Sequence, residues 1–242
     1  MKRIVLITGS SDGIGRETAI KFAEMGYFVI LNCKNSPDKL IKLEGEIKLL
    51  GGDCLSFQKD VSQFNEVSEI FAILEKNQLI PDIIINNAAI SYVGLLQDMS
   101  VDEWNNIVST NLNSCFYTSK LAIPHMLNKG GGKIINISSM WGSVGASCEV
   151  AYSATKGGVN SFTRALAKEL APSRIQVNAV AFGVVDTRMN GFLSEQERAA
   201  LIEEIPAGRF CSPREAAAII YKVSQLDDYI TGQVITADGG MI

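Results

Sequence analysis

Two residues four apart set the first chemical expectation. In Tyr152-Ser153-Ala154-Thr155-Lys156, Tyr152 and Lys156 share one face if the segment is helical. A free phenol titrates near ~10 and exchanges protons poorly at neutral pH. An ammonium one turn away favours the phenolate and lowers that value toward working pH, so the phenol can trade a proton with an alcohol or a carbonyl oxygen. Taken alone the spacing is common, and it fits equally well a surface Tyr and an unrelated Lys on an amphipathic helix. A second segment changes its weight. Thr8-Gly9-Ser10-Ser11-Asp12-Gly13-Ile14-Gly15 joins a short apolar run to a helical pattern. Gly9, Gly13 and Gly15 allow a tight turn and a close backbone approach to a pyrophosphate. Ser11, Asp12 and Ile14 fill the loop, and the following helix offers free N–H groups and a positive dipole end. An ordinary strand-to-helix turn is the alternative, and the position straight after the first strand favours the nucleotide.

These segments need a scaffold, and the hydrophobic pattern supplies one. Apolar runs at Ile4–Thr8, Phe28–Leu31, Cys54–Gln58, Ile83–Ile85, Lys133–Ile137, Ile175–Ala181 and Gln233–Ala237 read as strands. Helical spacing marks Gly15–Met25, Pro37–Leu50, the stretch through Val67, Ile70, Phe71 and Leu74, a long helix from about Val101 to Met126, and Ala151–Leu170. Strands that are apolar throughout and alternate with helices imply a parallel sheet covered on both faces. The expectation is an α/β, doubly wound Rossmann-type fold of about seven strands over residues 1–242, with no Pro-, Ser- or charge-rich linker dividing it. Residues 183–208 are the least regular stretch. They follow the sixth strand, where ligands bind in open α/β sheets, and read as a substrate lid.

Bulk properties bound the function. The chain has 242 residues and a net charge of −4, with no basic block of the kind that marks nucleic-acid binding. No apolar run approaches the ~20 residues that span a bilayer. The five cysteines, Cys33, Cys54, Cys115, Cys148 and Cys211, match no metal or redox spacing, and no metal is expected. With no signal-peptide pattern at the start, they read as reduced thiols in a cytoplasmic protein.

The glycine loop, Gly-x-x-x-Gly-x-Gly after Thr8, resembles the cofactor loop of the short-chain dehydrogenase/reductases. The resemblance continues through Asn86-Asn87-Ala88-Ala89, Tyr152-x-x-x-Lys156, Thr231-Gly232-Gln233 and Asp238-Gly239-Gly240. Two departures stand out: Ala89 replaces a family Gly, costly if that backbone needs positive φ, and Phe182-Gly183 replaces Pro-Gly. The resemblance implies roles. Ser139, thirteen residues before Tyr152, takes the place of the Ser that polarises the substrate oxygen, with Ser138 left as a structural hydroxyl. Asn111 corresponds to the helix Asn that holds a water in a proton relay, although an Asn in mid-helix also commonly bonds to backbone. Tyr152 protonates the substrate oxygen. Lys156 tunes Tyr152 and binds the nicotinamide ribose. Asp60 and Val61 contact adenine, Asn87 and Ala88 flank the cofactor, and Val185 and Thr187 face the carboxamide.

The second strand ends at Asn32-Cys33-Lys34. An acidic residue there binds the ribose 2′-OH of NAD. Cys33 stands at that position, and Lys34 is either a partner for a 2′-phosphate or a solvated loop lysine. Asp12 pulls against a 2′-phosphate. On balance NADP(H) is favoured over NAD(H).

The segment Ile205–Phe210 and the tail are similar to 3-oxoacyl-acyl-carrier-protein reductases. That implies reduction of a 3-oxoacyl thioester on an acyl carrier, by a homotetramer. An acidic carrier calls for basic residues, and Lys129, Lys133 and Arg174 are the candidates, with solubility their ordinary role. A dehydrogenase of a small alcohol, sugar or steroid is the alternative. A nucleotide-binding regulator without turnover is a third, and loss of Tyr or Lys would favour it; both are kept. His125, the only histidine, reads as structural. Trp104 reads as packing, and Trp141 as packing or pocket wall. Met189, Phe192 and Leu193 pack the lid or touch an apolar substrate.

Overall fold

The structure, a computed structural model, describes residues 2–191 and 193–242, so Phe192 lies outside the described residues. In chain order the elements are β1 (Ile4–Ile7), α1 (Gly13–Glu24), β2 (Phe28–Cys33), α2 (Pro37–Leu49), β3 (Asp53–Gln58), α3 (Phe64–Lys76) and β4 (Ile83–Asn86). They continue with α4 (Val101–Val108), α5 (Ser114–Lys129), β5 (Gly132–Ser139), α6 (Trp141–Val144), α7 (Val150–Leu170), β6 (Ile175–Phe182), α8 (Glu195–Glu204), α9 (Pro213–Ser224) and β7 (Val234–Ala237).

The seven strands form one sheet in the order β3-β2-β1-β4-β5-β6-β7, and every pairing is parallel. Strand alternation divides the apolar residues between two cores. Val5, Ile7, Val29, Leu31, Ile83 and Ile85 pack with Phe22, Leu43 and Ile220 of α1, α2 and α9. Leu6, Ile30, Ile84, Ile134 and Val177 pack on the other face with Ile70, Met126 and Ala167 of α3, α5 and α7. Each of these large side chains, buried, stabilises the fold by about 1.5–3 kcal/mol before chain entropy is counted. The doubly wound Rossmann-type architecture expected from the sequence is the one observed.

Three local differences matter. The helix expected from Val101 to Met126 is broken by a π-helical turn over Ser109–Asn113, with Asn111 buried at its centre. Residues 183–208 are less irregular than their sequence indicates. They contain α8, opened by a capping box in which Ser194 and Glu197 satisfy each other's backbone N–H groups. Its apolar residues are contiguous rather than spaced by three or four, which hid the helix. Sequence reading also assigns no helix to Pro213–Ser224, yet α9 forms there. Ser212 and Glu215 cap it, Pro213 starts it, and Ala216, Ala217, Ile220 and Val223 are buried.

Candidate active site

The carboxyl ends of β1, β4, β5 and β6 open onto one cleft of about 720 Å³, a size suited to a nucleotide and a small substrate together. At its β1 end lies the glycine loop. Asp12 caps α1, its carboxylate accepting from the Gly13 N–H at 2.9 Å. The first-turn N–H groups beyond it have no intrahelical acceptor. Gly9 sits at φ +63°, and a Cβ there would lie 2.9 Å from Ala88 Cα. Gly15 is required by space rather than by φ: a Cβ would meet the Gly9 carbonyl oxygen at 2.3 Å and Asn87 Nδ2 at 2.5 Å. Asn87 locks this packing by donating to the carbonyls of Thr8 and Gly9 at 3.0 and 3.1 Å. The Thr8 hydroxyl accepts from the N–H groups of Asn87 and Ala88. This tight, donor-rich cradle fits the diphosphate of a dinucleotide.

Sequence reasoning missed Asn32, the anchor of that cradle. It is buried at the end of β2. Its Oδ1 accepts from the Gly9 N–H at 3.3 Å, and its Nδ2 donates to the carbonyls of Phe57 and Lys59. The signal was present as a polar residue ending an apolar strand.

Beyond the ends of β2 and β3 the charges are paired. Lys34 bridges Asp60 at 2.8 Å, so the residue expected to meet a 2′-phosphate also has a carboxylate beside it. Asp12 is bonded by Lys39 and lies 3.8 Å from Arg188 Nε; these partners hold its carboxyl below the usual range against the opposing effect of burial. Its repulsion of a 2′-phosphate is therefore offset. Val61, Ala88, Val185 and Thr187 line the same cleft. Ala89 is not among the residues with positive φ, so its replacement of glycine carries no backbone penalty. Phe182 is both cleft wall and core.

At the β5 end, Ser139, Tyr152 and Lys156 come together on the cleft wall. Ser138 also borders the cleft, and its hydroxyl bonds the Asn160 side chain at 2.7 Å. Lys156 is only 3% exposed. It donates to the Ile137 carbonyl at 2.8 Å, and its ammonium stands 5.4 Å from the centre of the Tyr152 ring. The lowering of the phenol expected from the spacing is overridden by its surroundings. Burial, with the Glu149 carboxylate second, pushes Tyr152 up to about 12, and the Ser139 hydroxyl works the other way. Burial lowers Lys156 to about 8. Desolvation outweighs the four-residue spacing, and Tyr152 is held as a protonated phenol.

Asn111 does not line the cleft. The π turn aims its amide at the loop after β4, where it donates to the Ile90 carbonyl at 2.9 Å and accepts from the Ile90 N–H at 2.8 Å. It also donates to Thr155 Oγ1 at 3.2 Å. The backbone-bonding alternative thus describes its contacts, and they tie the β4 loop to α7, one residue from Lys156.

The remaining wall is mostly apolar, with Ile90, Val93, Met140, Trp141, Met189 and Leu193. Two polar residues there were also missed, Ser91 and Glu149, joined by a 2.8 Å hydrogen bond. Lys129, Lys133 and Arg174 do not reach the cleft. They sit where α5 ends and where β5 and β6 begin, at the opposite ends of the strands. Lys129 is held by Asp82 and the Ile80 carbonyl, and Lys133 by the Leu226 carbonyl. Among the described residues no group of three or more His, Cys, Asp or Glu is placed to hold a metal, and no helix is long and apolar enough to cross a membrane.

The family model described as short chain dehydrogenase matches residues 3–198. The chain is 37% identical over 242 residues to the 3-oxoacyl-[acyl-carrier-protein] reductase FabG of Staphylococcus aureus, covering 100% of this chain and 98% of that one. It is 35% identical over 243 residues to the FabG of Thermotoga maritima, covering 99% and 98%. Among solved structures, a putative gluconate dehydrogenase from Agrobacterium tumefaciens superposes with a TM-score of 0.95 at 33% identity, covering 99% of this chain and 95% of that one.

Proposed function

The chain belongs to the short chain dehydrogenase family, an oxidoreductase that works with a nicotinamide cofactor, and from that premise we propose that it reduces a 3-oxoacyl thioester to its 3-hydroxyacyl form with NADPH. The observation that carries this reading is the convergence of Ser139, Tyr152 and Lys156 on one wall of the cleft at the end of β5, with the Lys156 ammonium 5.4 Å from the centre of the Tyr152 ring. A phenol that stays protonated through the neutral range has a proton to give the carbonyl oxygen, and the Lys156 ammonium beside its ring eases that transfer by stabilising the phenolate. The nicotinamide supplies the hydride. The Ser139 hydroxyl orients the carbonyl and donates to its oxygen as charge develops there. Tyr152 gives that oxygen its proton. Lys156 holds a positive charge under the phenol ring, favours the phenolate left behind, and reaches the nicotinamide ribose. Asn111 positions the Ile90 loop and feeds the proton relay to Lys156.

In this reading Gly9, Ser11, Asp12, Gly13, Ile14 and Gly15 cradle the diphosphate. Asp60 and Val61 meet the adenine, while Asn87, Ala88, Val185 and Thr187 flank the nicotinamide half. NADP(H) is supported by the lysines at the adenosine end, Lys34 and Lys39, and by the lack of a carboxylate at the end of β2, where Cys33 stands. The thioester is supported by the full-length similarity to two FabG reductases and by the apolar wall. Residues 183–208 act as the lid, and the whole chain works as one unit. A homotetramer in the cytoplasm, acting on an acyl-carrier-bound substrate, completes the reading.

One observation favours a second substrate class, a small alcohol or sugar. Leu201 of α8 lines the cleft, and the same helix carries Glu195, Glu197, Glu203 and Glu204 against the single Arg198. An acidic helix at the mouth opposes an acidic carrier. Oxidation of NADPH and NADH with acetoacetyl-carrier protein, a short acetoacetyl thioester and a panel of ketones and sugars separates the readings. Activity on the thioesters with NADPH supports the first. Activity confined to sugars or small ketones rejects it, and cofactor binding without any turnover rejects the enzymatic role.

A further inference from the structure

We propose that Glu149 determines specificity at the substrate end of the cleft: its carboxylate admits compounds whose next functional group beyond the reacting carbonyl is neutral, prefers one that donates a hydrogen bond, and rejects those carrying a carboxylate there. The inference rests on the carbonyl-reducing reading and narrows its substrate.

Glu149 immediately precedes α7, yet its side chain makes no capping bond to that helix. It lines the cleft instead, with Ser91 opposite. One carboxylate oxygen, Oε2, accepts from the Ser91 hydroxyl at 2.8 Å. That bond fixes the group across the cleft and leaves the second oxygen to accept from a ligand. Among the described residues no Lys, Arg or His forms an ion pair with it. The nearest buried cation, Lys156, is held by the Ile137 carbonyl, with the Tyr152 ring beside it. Glu149 stands three residues before Tyr152, both line the same cleft, and the Glu149 charge acts on the Tyr152 phenol. A substrate whose carbonyl oxygen meets Tyr152 therefore presents its next group to Glu149.

Two consequences follow from charge alone. A carboxylate about 6 Å from Glu149, at the effective dielectric of a partly buried site, is disfavoured by on the order of 100-fold in binding. A neutral N–H or O–H donor gains a charge-assisted hydrogen bond there instead. A 3-oxo acid is thus taken in a masked form, as an amide, ester or thioester, and not as the free anion.

Three near-isosteric probes test this: 3-oxobutanamide, methyl 3-oxobutanoate and 3-oxobutanoate. Binding to the protein–NADPH complex, followed by cofactor fluorescence, reads the selection without turnover, and kcat/KM reads it with turnover. The expected order is amide, then ester, then anion, with the amide at least 30-fold ahead of the anion. Glu149→Gln removes the charge and cuts the amide-to-anion ratio at least tenfold, chiefly through the anion's KM. Glu149→Ala removes the acceptor and brings amide and ester together. Ser91→Ala, which frees the carboxylate to turn, lowers the amide-to-ester ratio. Equal binding of amide and anion by the native protein overturns the proposal, as does an amide-to-anion ratio in Glu149→Gln within twofold of the native one. Glu149-dependent selection in binding, with no turnover of any probe, supports this subsite and overturns the reductase reading.

Discussion

The Lys156 ammonium donates to the carbonyl of Ile137 at 2.8 Å, so the charge beside the Tyr152 ring is held by backbone from a strand rather than by a carboxylate. That arrangement leaves the charge costly. Burial lowers Lys156 from 10.5 to about 8, equivalent to roughly 3 kcal/mol against the charged form. Because the folded value lies below the unfolded one, the unfolded chain holds more protons between about pH 8 and 10.5, and stability rises with pH across that window. Lys156→Met has no such group. The stability of the native protein relative to this variant should therefore increase by up to about 3 kcal/mol from pH 8 to 10.5. The high phenol of Tyr152 cancels, being present in both. Denaturant unfolding at several pH values checks this, and a pH-independent difference would show that Lys156 is not buried with its charge. Turnover of the variant should be lost at every pH.

Gly15 and Gly45 make a matched pair. Gly15 packs against the Gly9 carbonyl and Asn87, whereas a Cβ at Gly45 in α2 meets nothing within 4 Å. Gly15→Ala should cost about 1–3 kcal/mol, as overpacking does, and weaken cofactor binding by shifting the loop. Gly45→Ala should raise stability by about 1 kcal/mol through helix propensity and leave cofactor affinity alone. Thermal melts and NADPH titrations of the two variants decide it; equal effects would mean that the loop yields freely.

Much of this site was legible in the sequence because local pattern and chemistry coincide. Apolar runs placed the strands, glycine spacing placed the tight turn between β1 and α1, and the four-residue step placed Tyr152 beside Lys156. What the sequence hid depends on distance along the chain. Glu149 gains its meaning from Ser91, 58 residues away. Asn32 gains its meaning from Gly9, 23 residues away. The four-residue spacing alone points to a lowered Tyr152 phenol, whereas desolvation, which spacing does not reveal, raises it. The π turn at Asn111 interrupts a helix whose apolar rhythm shows no break. The α9 helix, by contrast, was marked by Ser212, Pro213 and Glu215, with apolar residues at helical intervals beyond them.

Asn111 bonds both backbone groups of Ile90. Asn111→Ala leaves the part-buried N–H and C=O of Ile90 without their side-chain partners and should destabilise the protein by roughly 1 kcal/mol. Asn111→Asp keeps the acceptor for the Ile90 N–H and loses the donor, so it should fall between the two. A role confined to structure predicts normal kcat at temperatures where the variants are fully folded. The proposed relay predicts a fall in kcat of tenfold or more under those conditions, with KM for the cofactor little changed.

The state of Tyr152 separates the two directions of reaction. Its phenol, at about 12, faces Glu149, which raises it, and Ser139, which lowers it, with the Lys156 ammonium beside its ring. Reduction consumes the phenol, the form present throughout the neutral range, so its rate should be flat from pH 6 to 8. Oxidation of the product alcohol needs the phenolate and should accelerate about tenfold per pH unit over the same range, because each unit increases the phenolate fraction tenfold. Glu149→Gln removes the second of the raising influences and should move the oxidative profile to lower pH. Tyr152→Phe should abolish most turnover in both directions while cofactor affinity holds, since the ring remains. Steady-state rates in both directions across pH 6–8, with cofactor titrations of the variant, test the set. An oxidative rate that does not change with pH, or a Phe variant with native turnover, would remove Tyr152 from the proton transfer.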